Sequence, residues 1–278
     1  MRALVLAYHS LNVAGNEYGD NDHVAFAEDL RLLTQARARI VGLDLILGAL
    51  REGAIDDSTR ERPLVALTFD DGPVFDVVDF THPWHGRQRS FLNTMLDFAA
   101  SHGQLQPHLG ATSFVIASRE ARAALQAASD RDFPDLGHWL SDSWWPMATG
   151  RSLLRLGNHS WDHVHPVMRQ IAAESDEREN FAVVDNYVDA TSEIREAGRF
   201  IEGIAGEQCR YFAYPYGHTN RYLVSTYFPV HQAEHGTVAA FTTEGRRIAA
   251  IDSLWALPRA VCGAHWHDGG GLMNLLYR

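Results

Sequence analysis

The stretch Leu64-Val65-Ala66-Leu67-Thr68-Phe69-Asp70-Asp71-Gly72 decides how this chain is to be read. Leu64–Phe69 is a short apolar run, rich in β-branched and aromatic residues and without helical period, as a buried strand requires. It stops abruptly at two aspartates and a glycine. Successive strand residues point to opposite faces, so Asp70 and Asp71 converge only where the strand ends. Gly72 supplies the backbone freedom for that break. Two adjacent carboxylates repel unless a cation or a proton lies between them. A solvated Asp-Gly turn is the competing reading of the pair taken alone.

Outward from this stretch, similar apolar runs occur at Ala3–Tyr8, Ala111–Ala117, Tyr211–Tyr214 and Val238–Thr242. Between them lie segments with apolar residues at helical spacing: Asp22–Arg37, Ser90–Ala100 and, most clearly, Asn180–Ile204. Acidic residues at Glu174, Asp176, Glu177 and Glu179 crowd the approach to the last, as a helix dipole favours. Strand–helix alternation over 278 residues predicts an α/β fold with a parallel sheet closed as a barrel, an open doubly wound sheet being the rival. In either case the chemistry belongs at the C-terminal ends of the strands. The chain is expected to be one catalytic domain over residues 1–278. Loop insertions are expected near 74–89, rich in Asp, His, Pro and Trp, and near 128–150, which carries Trp139, Trp144, Trp145 and two prolines; long aromatic loops of this kind line or cover a site.

Composition narrows the function. The chain is 46% hydrophobic and 21% charged, with a net charge of −11, so its field repels nucleic acid and suits a neutral, cationic or metal-bridged substrate. Cys209 and Cys262 match no metal or redox spacing and are expected to be buried, reduced thiols. No apolar run approaches the roughly 18 residues of a membrane span. The opening Met1–Ser10 reads as a strand rather than a signal peptide. The chain as written is therefore expected in the cytoplasm, or outside it if a leader has been removed.

Two further elements carry chemistry. After the apolar run Leu153–Leu156 comes Gly157-Asn158-His159-Ser160-Trp161-Asp162-His163. Histidines four apart on one helical turn project to the same side and can chelate a metal. With 15 histidines in the chain such a pair also arises by chance, and His231 with His235 is a second one. That pair follows no strand and is expected on a surface helix or loop. The third element is Tyr211-Phe212-Ala213-Tyr214-Pro215-Tyr216-Gly217, an aromatic strand running into a sharp turn that can expose a backbone N–H to an oxyanion.

In this order the three elements resemble the motifs of the polysaccharide deacetylases, the NodB-type fold of carbohydrate esterase family four. The family's Thr-Phe-Asp-Asp-Gly stands as Thr68–Gly72, and its His-Ser/Thr-x-x-His as His159–His163. The opening Tyr8-His9-Ser10 is similar to the first strand of the branch acting on exopolysaccharides. The resemblance implies a distorted (β/α) barrel with fewer than eight complete strands. It also implies that Asp71, His159 and His163 hold a divalent metal, with Asp70 as general base and the Tyr216 N–H on the oxyanion. Two imidazoles and a carboxylate suit zinc, and cobalt, nickel or iron fit the same ligands.

The chain departs from the family in two places. Ala213 stands where many members carry an arginine that orients the base, and Arg259 is the candidate replacement. No Leu-x-His supplies the general acid, for which His9, His265 and His267 are candidates. His82 and His85, beside Trp84 in the first insertion, are expected to contact substrate. The expected reaction is metal-dependent N-deacetylation of an N-acetylated glycan. Hydrolysis of a small non-sugar amide and non-catalytic carbohydrate binding are the alternatives.

Overall fold

In the computed structural model, residues 2–56, 62–129, 133, 136–149 and 153–277 are described. The element order is strand β1 (Ala3–Tyr8), helix α1 (Asp22–Gln35), β2 (Arg39–Ile40), α2 (Leu43–Arg51), β3 (Leu64–Phe69), the hairpin β4 (Phe80–His82) and β5 (Gly86–Gln88), α3 (Phe91–His102), β6 (Ala111–Val115), α4 (Arg119–Ser129), α5 (Trp145–Thr149), β7 (Leu154–Asn158), α6 (Tyr187–Ala190), α7 (Ala197–Ala205), β8 (Tyr211–Ala213), β9 (Ala239–Phe241) and β10 (Ala260–Val261). A last helix covers Gly269–Tyr277.

Seven strands pair side by side, all parallel, in the order β10-β1-β3-β6-β7-β8-β9. The short β2 pairs with the start of β3. The sheet curls into a distorted, incomplete barrel. Its outer strands, β9 and β10, are joined through Leu257, whose N–H donates to the Ala240 carbonyl at 2.9 Å while its own carbonyl accepts from Thr242 N–H at 2.8 Å.

Alternation sorts the side chains. Leu4, Leu6, Tyr8, Val65, Leu67 and Phe69 face outward and pack with Phe26, Leu30 and Leu33 of α1 and Phe91 and Met95 of α3. Ala3, Val5, Leu64, Ala66, Phe114, Ala213, Ala239 and Phe241 face inward, where Leu43, Ile46 and Leu47 of α2 join them. Strands covered on both faces in this way read as continuous apolar runs. The same alternation turns the residue following Tyr8, and the one following Phe69, to the inner face. That is how His9 and Asp70 come to face the barrel mouth.

The region expected as one helix over Asn180–Ile204 is broken. Val184 leaves helical geometry, α6 starts at Tyr187 behind an Asn186 cap, and a π-helical turn over Thr191–Glu196 precedes α7. Asn180 and Asn186 each cap a backbone N–H with the side chain, and that local bonding competes with a continuous helix. The predicted strands at 111–117, 211–214 and 238–242 are each shorter by a residue or two at their ends. Part of the 128–150 insertion lies outside the described residues. Its described part docks on the 74–89 insertion: Trp139 stacks on Phe75 at 5.9 Å, and its carbonyl accepts from Val74 N–H at 2.7 Å.

Candidate active site

The C-terminal ends of all seven strands of the curled sheet open on one cavity of about 440 Å³. It is lined by His9 after β1, Asp70 and Asp71 after β3, Ile116 after β6, His159 after β7, Tyr214 and Tyr216 after β8, Thr243 after β9 and Val261 in β10.

The turn after β3 is built from two consecutive left-handed residues, Asp71 at φ 71° and Gly72 at φ 70°. A side chain at Gly72 would also meet Val115 Cγ1 at 2.5 Å, so the turn needs glycine for space as well as for backbone. Asp70 is thereby left facing the barrel mouth and Asp71 swings beside it. The loop after β7 bends differently from the expected helical turn. Ser160, His163 and Val164 take positive φ values of 72°, 65° and 48°, and no helix forms. The two histidines converge because the chain doubles back. The Ser160 hydroxyl accepts from His163 N–H at 2.9 Å. The Asp162 carboxylate accepts from Val164 N–H at 2.9 Å and from Ala172 N–H at 2.6 Å.

One donor atom each from Asp71, His159 and His163 lies within 4.8 Å of the others. Asp71 Oδ1 is 3.7 Å from Nε2 of both histidines, too long for hydrogen bonds. His159 Nδ1 lies 2.9 Å from the Ala213 carbonyl. A carbonyl only accepts, so Nδ1 carries a proton, and Nε2, which faces Asp71, is the atom from which the neutral ring would offer a lone pair. Burial, with His159 and His165 nearby, holds His163 well below the usual imidazole range, so it too is neutral. Two neutral imidazoles and a carboxylate turned toward one point are the donor set a divalent cation takes.

Asp70 is held by Arg259. Its Nη1 donates to Oδ1 at 2.7 Å and Nη2 to Oδ2 at 2.8 Å. Nη1 also reaches Thr68 Oγ1 at 3.1 Å and Nε the Thr242 carbonyl at 3.3 Å. The guanidinium is fully buried and rests over the Phe114 ring at 5.2 Å. Burial pushes the Asp70 carboxyl up, but the charge and hydrogen bonds of Arg259 outweigh it and hold it well below the usual carboxylate range. The arginine that pairs with Asp70 thus lies 189 positions further along the chain.

Of the other anticipated residues, His9 and His265 line the cavity and His267 does not; His267 is exposed. Burial disfavours charge on His9, but Asp71, Asp70 and Asp22 together raise its pKa. Tyr216 sits in the turn at φ 59° with its ring 4.5 Å from that of His163. Among the described residues its N–H has no backbone acceptor, the neighbouring N–H groups of Gly217 and His218 being bonded to Tyr214 and Pro215. His82 and His85 are not brought to the cavity. His82 is buried edge-on against Phe133, and its Nδ1 takes the N–H groups of Trp84 and His85. The second insertion supplies the wall instead, through Trp139 and Leu140. The rival pair is separate: His231 bonds Glu234 and His235 bonds the Phe228 carbonyl.

Two residues of this region were not singled out by the sequence. His165 lines the cavity two positions beyond His163. Asp76 is buried behind the dyad and accepts from the Ser10 and Ser113 hydroxyls, both at 2.7 Å. It thereby ties the end of β1 and strand β6 to the turn that carries Asp70 and Asp71. Burial raises its carboxyl to about 7.

The family model described as polysaccharide deacetylase matches residues 57–228. No curated protein matches the chain. Among solved structures, IcaB from Ammonifex degensii aligns over 100% of this chain and 97% of its own at 18% identity and a TM-score of 0.59. The Streptococcus pyogenes deacetylase PplD aligns over 99% and 98% at 15% identity and 0.59. The BpsB deacetylase domain from Bordetella bronchiseptica aligns over 94% and 96% at 18% identity and 0.55. At these identities the structures share the fold.

Proposed function

Because the chain belongs to the polysaccharide deacetylase family, we propose that it is a metal-dependent hydrolase removing acetyl groups from the amide nitrogens of an N-acetylated glycan. The observation that carries this reading is the convergence of Asp71, His159 and His163 beside a carboxylate that Arg259 holds ionised.

Asp71, His159 and His163 would hold the cation, zinc being the best match to the donor set. When bound, such an ion polarises the acetyl carbonyl and lowers the pKa of a water to about 7. Asp70 takes the proton from the attacking water, its spare lone pairs remaining free while Arg259 occupies one on each oxygen. The Tyr216 N–H supports the charge that develops on the carbonyl oxygen. His9 returns a proton to the departing nitrogen, leaving a free amine and acetate. His265 does not suit that role. Its Nδ1 accepts from Val261 N–H at 2.9 Å, so it cannot carry a second proton without losing that bond.

The test is acetate release from N-acetylglucosamine oligomers and from small acetamides, with metal supplied and then chelated. Release from the oligomers should need metal and vanish in Asp70→Asn, which should still bind it. Full activity after exhaustive chelation would sink the metal assignment. Release from small acetamides alone would move the substrate to a non-sugar amide.

A further inference from the structure

Three of the five histidines lining the cavity have a ring nitrogen that the backbone has already claimed. His159 gives its Nδ1 proton to a carbonyl, which leaves Nε2 to offer the lone pair of the neutral ring. His265 and His165 are wired the opposite way. Val261 N–H donates to His265 Nδ1 at 2.9 Å, and Val167 N–H donates to His165 Nδ1 at 3.2 Å. A backbone N–H can only donate, so both Nδ1 atoms are bare and both Nε2 atoms carry the proton. Neither ring offers a lone pair at Nε2, so neither can ligate a metal or accept a proton there. His163, the second ligand, has no such backbone claim on Nδ1 among the described residues.

Both rings are also fixed in place. His265 N–H donates to the Val261 carbonyl at 2.9 Å, closing a turn on the same residue its ring bonds. The ring lies on Gly245, where a Cβ would come within 1.9 Å of Cδ2. For His165, the backbone N–H donates to the Asp162 carbonyl at 3.3 Å and its own carbonyl accepts from Met168 N–H at 3.0 Å. Both residues line the cavity while remaining partly exposed. No arginine lines that cavity among the described residues, and its charged side chains are Asp70 and Asp71. Neutral N–H donors in such surroundings suit neutral acceptor oxygens rather than anions.

We propose that His165 and His265 are a pair of fixed Nε2–H donors that bind hydroxyl or ring oxygens of the glycan beside the reacting acetamide. The pairing rests on the glycan reading above and deepens it. It makes these two histidines binding residues for neutral sugars, distinct in role from the ligand histidines.

The test is calorimetric titration of metal-loaded Asp70→Asn protein with the N-acetylglucosamine tetramer, so that binding is read without turnover. His165→Phe and His265→Phe, made in that background, keep ring bulk and lose the donor. Each should weaken binding by about tenfold, and His→Gln at each position, which restores an N–H near the same place, should recover most of the loss. The visible spectrum of the cobalt-loaded protein should be unchanged in all four variants, separating a binding role from damage to the metal loop. Tetramer binding that is unaltered in both Phe variants overturns the donor pair and leaves the glycan reading standing. Equal losses in the Phe and Gln variants overturn it as well. Absence of tetramer binding in the Asp70→Asn parent overturns the glycan reading and the donor pair together.

Discussion

Arg259 reaches Asp70 with both terminal nitrogens, from 189 positions further along the chain. A bidentate fork fixes the orientation of the carboxylate as well as its charge, which an ammonium cannot do. Arg259→Lys should therefore keep the fold while lowering acetate release about a hundredfold. Arg259→Met should cost about 3–5 kcal/mol in urea denaturation, because it strands a buried carboxylate. Unchanged stability in the Met variant would mean that Asp70 had found another partner. At this scale the sequence was partly legible. Asp70, Asp71 and His159 are readable because each stands at a strand end, and His163 because it completes a motif with His159. Arg259 could be named only as a candidate, because nothing local says which strand end it faces. His165 was invisible, since its role hangs on one backbone amide two residues on. His82 misled, because a histidine and a tryptophan together in a loop resemble a sugar platform, whereas this ring is consumed by its own loop.

Between residue and fold, two glycines set how the elements meet. At Gly72 both the positive φ and the proximity of Val115 forbid a side chain. Gly72→Ala should displace the Asp70–Asp71 turn and weaken zinc binding at least tenfold, read by competition with a chromogenic chelator. At Gly157 a Cβ would lie 2.4 Å from Phe114 Cδ1, and Phe114 lies beneath the Arg259 guanidinium. Gly157→Ala should thus lower acetate release without touching any ligand, since the push on Phe114 passes to Arg259 and so to Asp70. If Gly157→Ala retains full activity, Phe114 does not support the base. Most strands were readable from their apolar runs, because strands buried on both faces have no polar alternation to obscure them. The loop after β7 was not. Three positive φ values at Ser160, His163 and Val164 leave no composition signal in non-glycine residues, so a helical turn was the natural expectation. The broken helix before α7 went unseen because its apolar spacing persists through the π-helical turn.

Across the whole molecule, one buried carboxylate joins the beginning of the chain to its end. Asp29 of α1 accepts from Tyr8 of β1 at 2.8 Å, from Trp266 Nε1 at 3.2 Å and from Tyr18. Burial raises its carboxyl to about 7 against 3.8 unfolded, despite those three donors. The folded state therefore holds a proton that the unfolded chain releases near pH 4, and stability should fall as pH rises from about 4 through 7. The effect is on the order of a few kcal/mol. Asp29→Asn should reduce that slope between pH 4 and 7 in urea melts, leaving the share that Asp76 contributes, while being less stable than the parent at pH 5 because one acceptor oxygen is lost. An undiminished slope would place the titration elsewhere.

The Leu257 bridge between β9 and β10 has a consequence for how activity arises in time. Synthesis delivers Asp70, Asp71, His159 and His163 before the segment that bridges β9 to β1 and carries Arg259. Long-range pairing of that kind is slow to form. A ribosome-bound chain displaying Asp71, His159 and His163 would still hold Asp70 unanchored, so on the proposed reading the site is not complete until the Arg259 segment has joined the sheet.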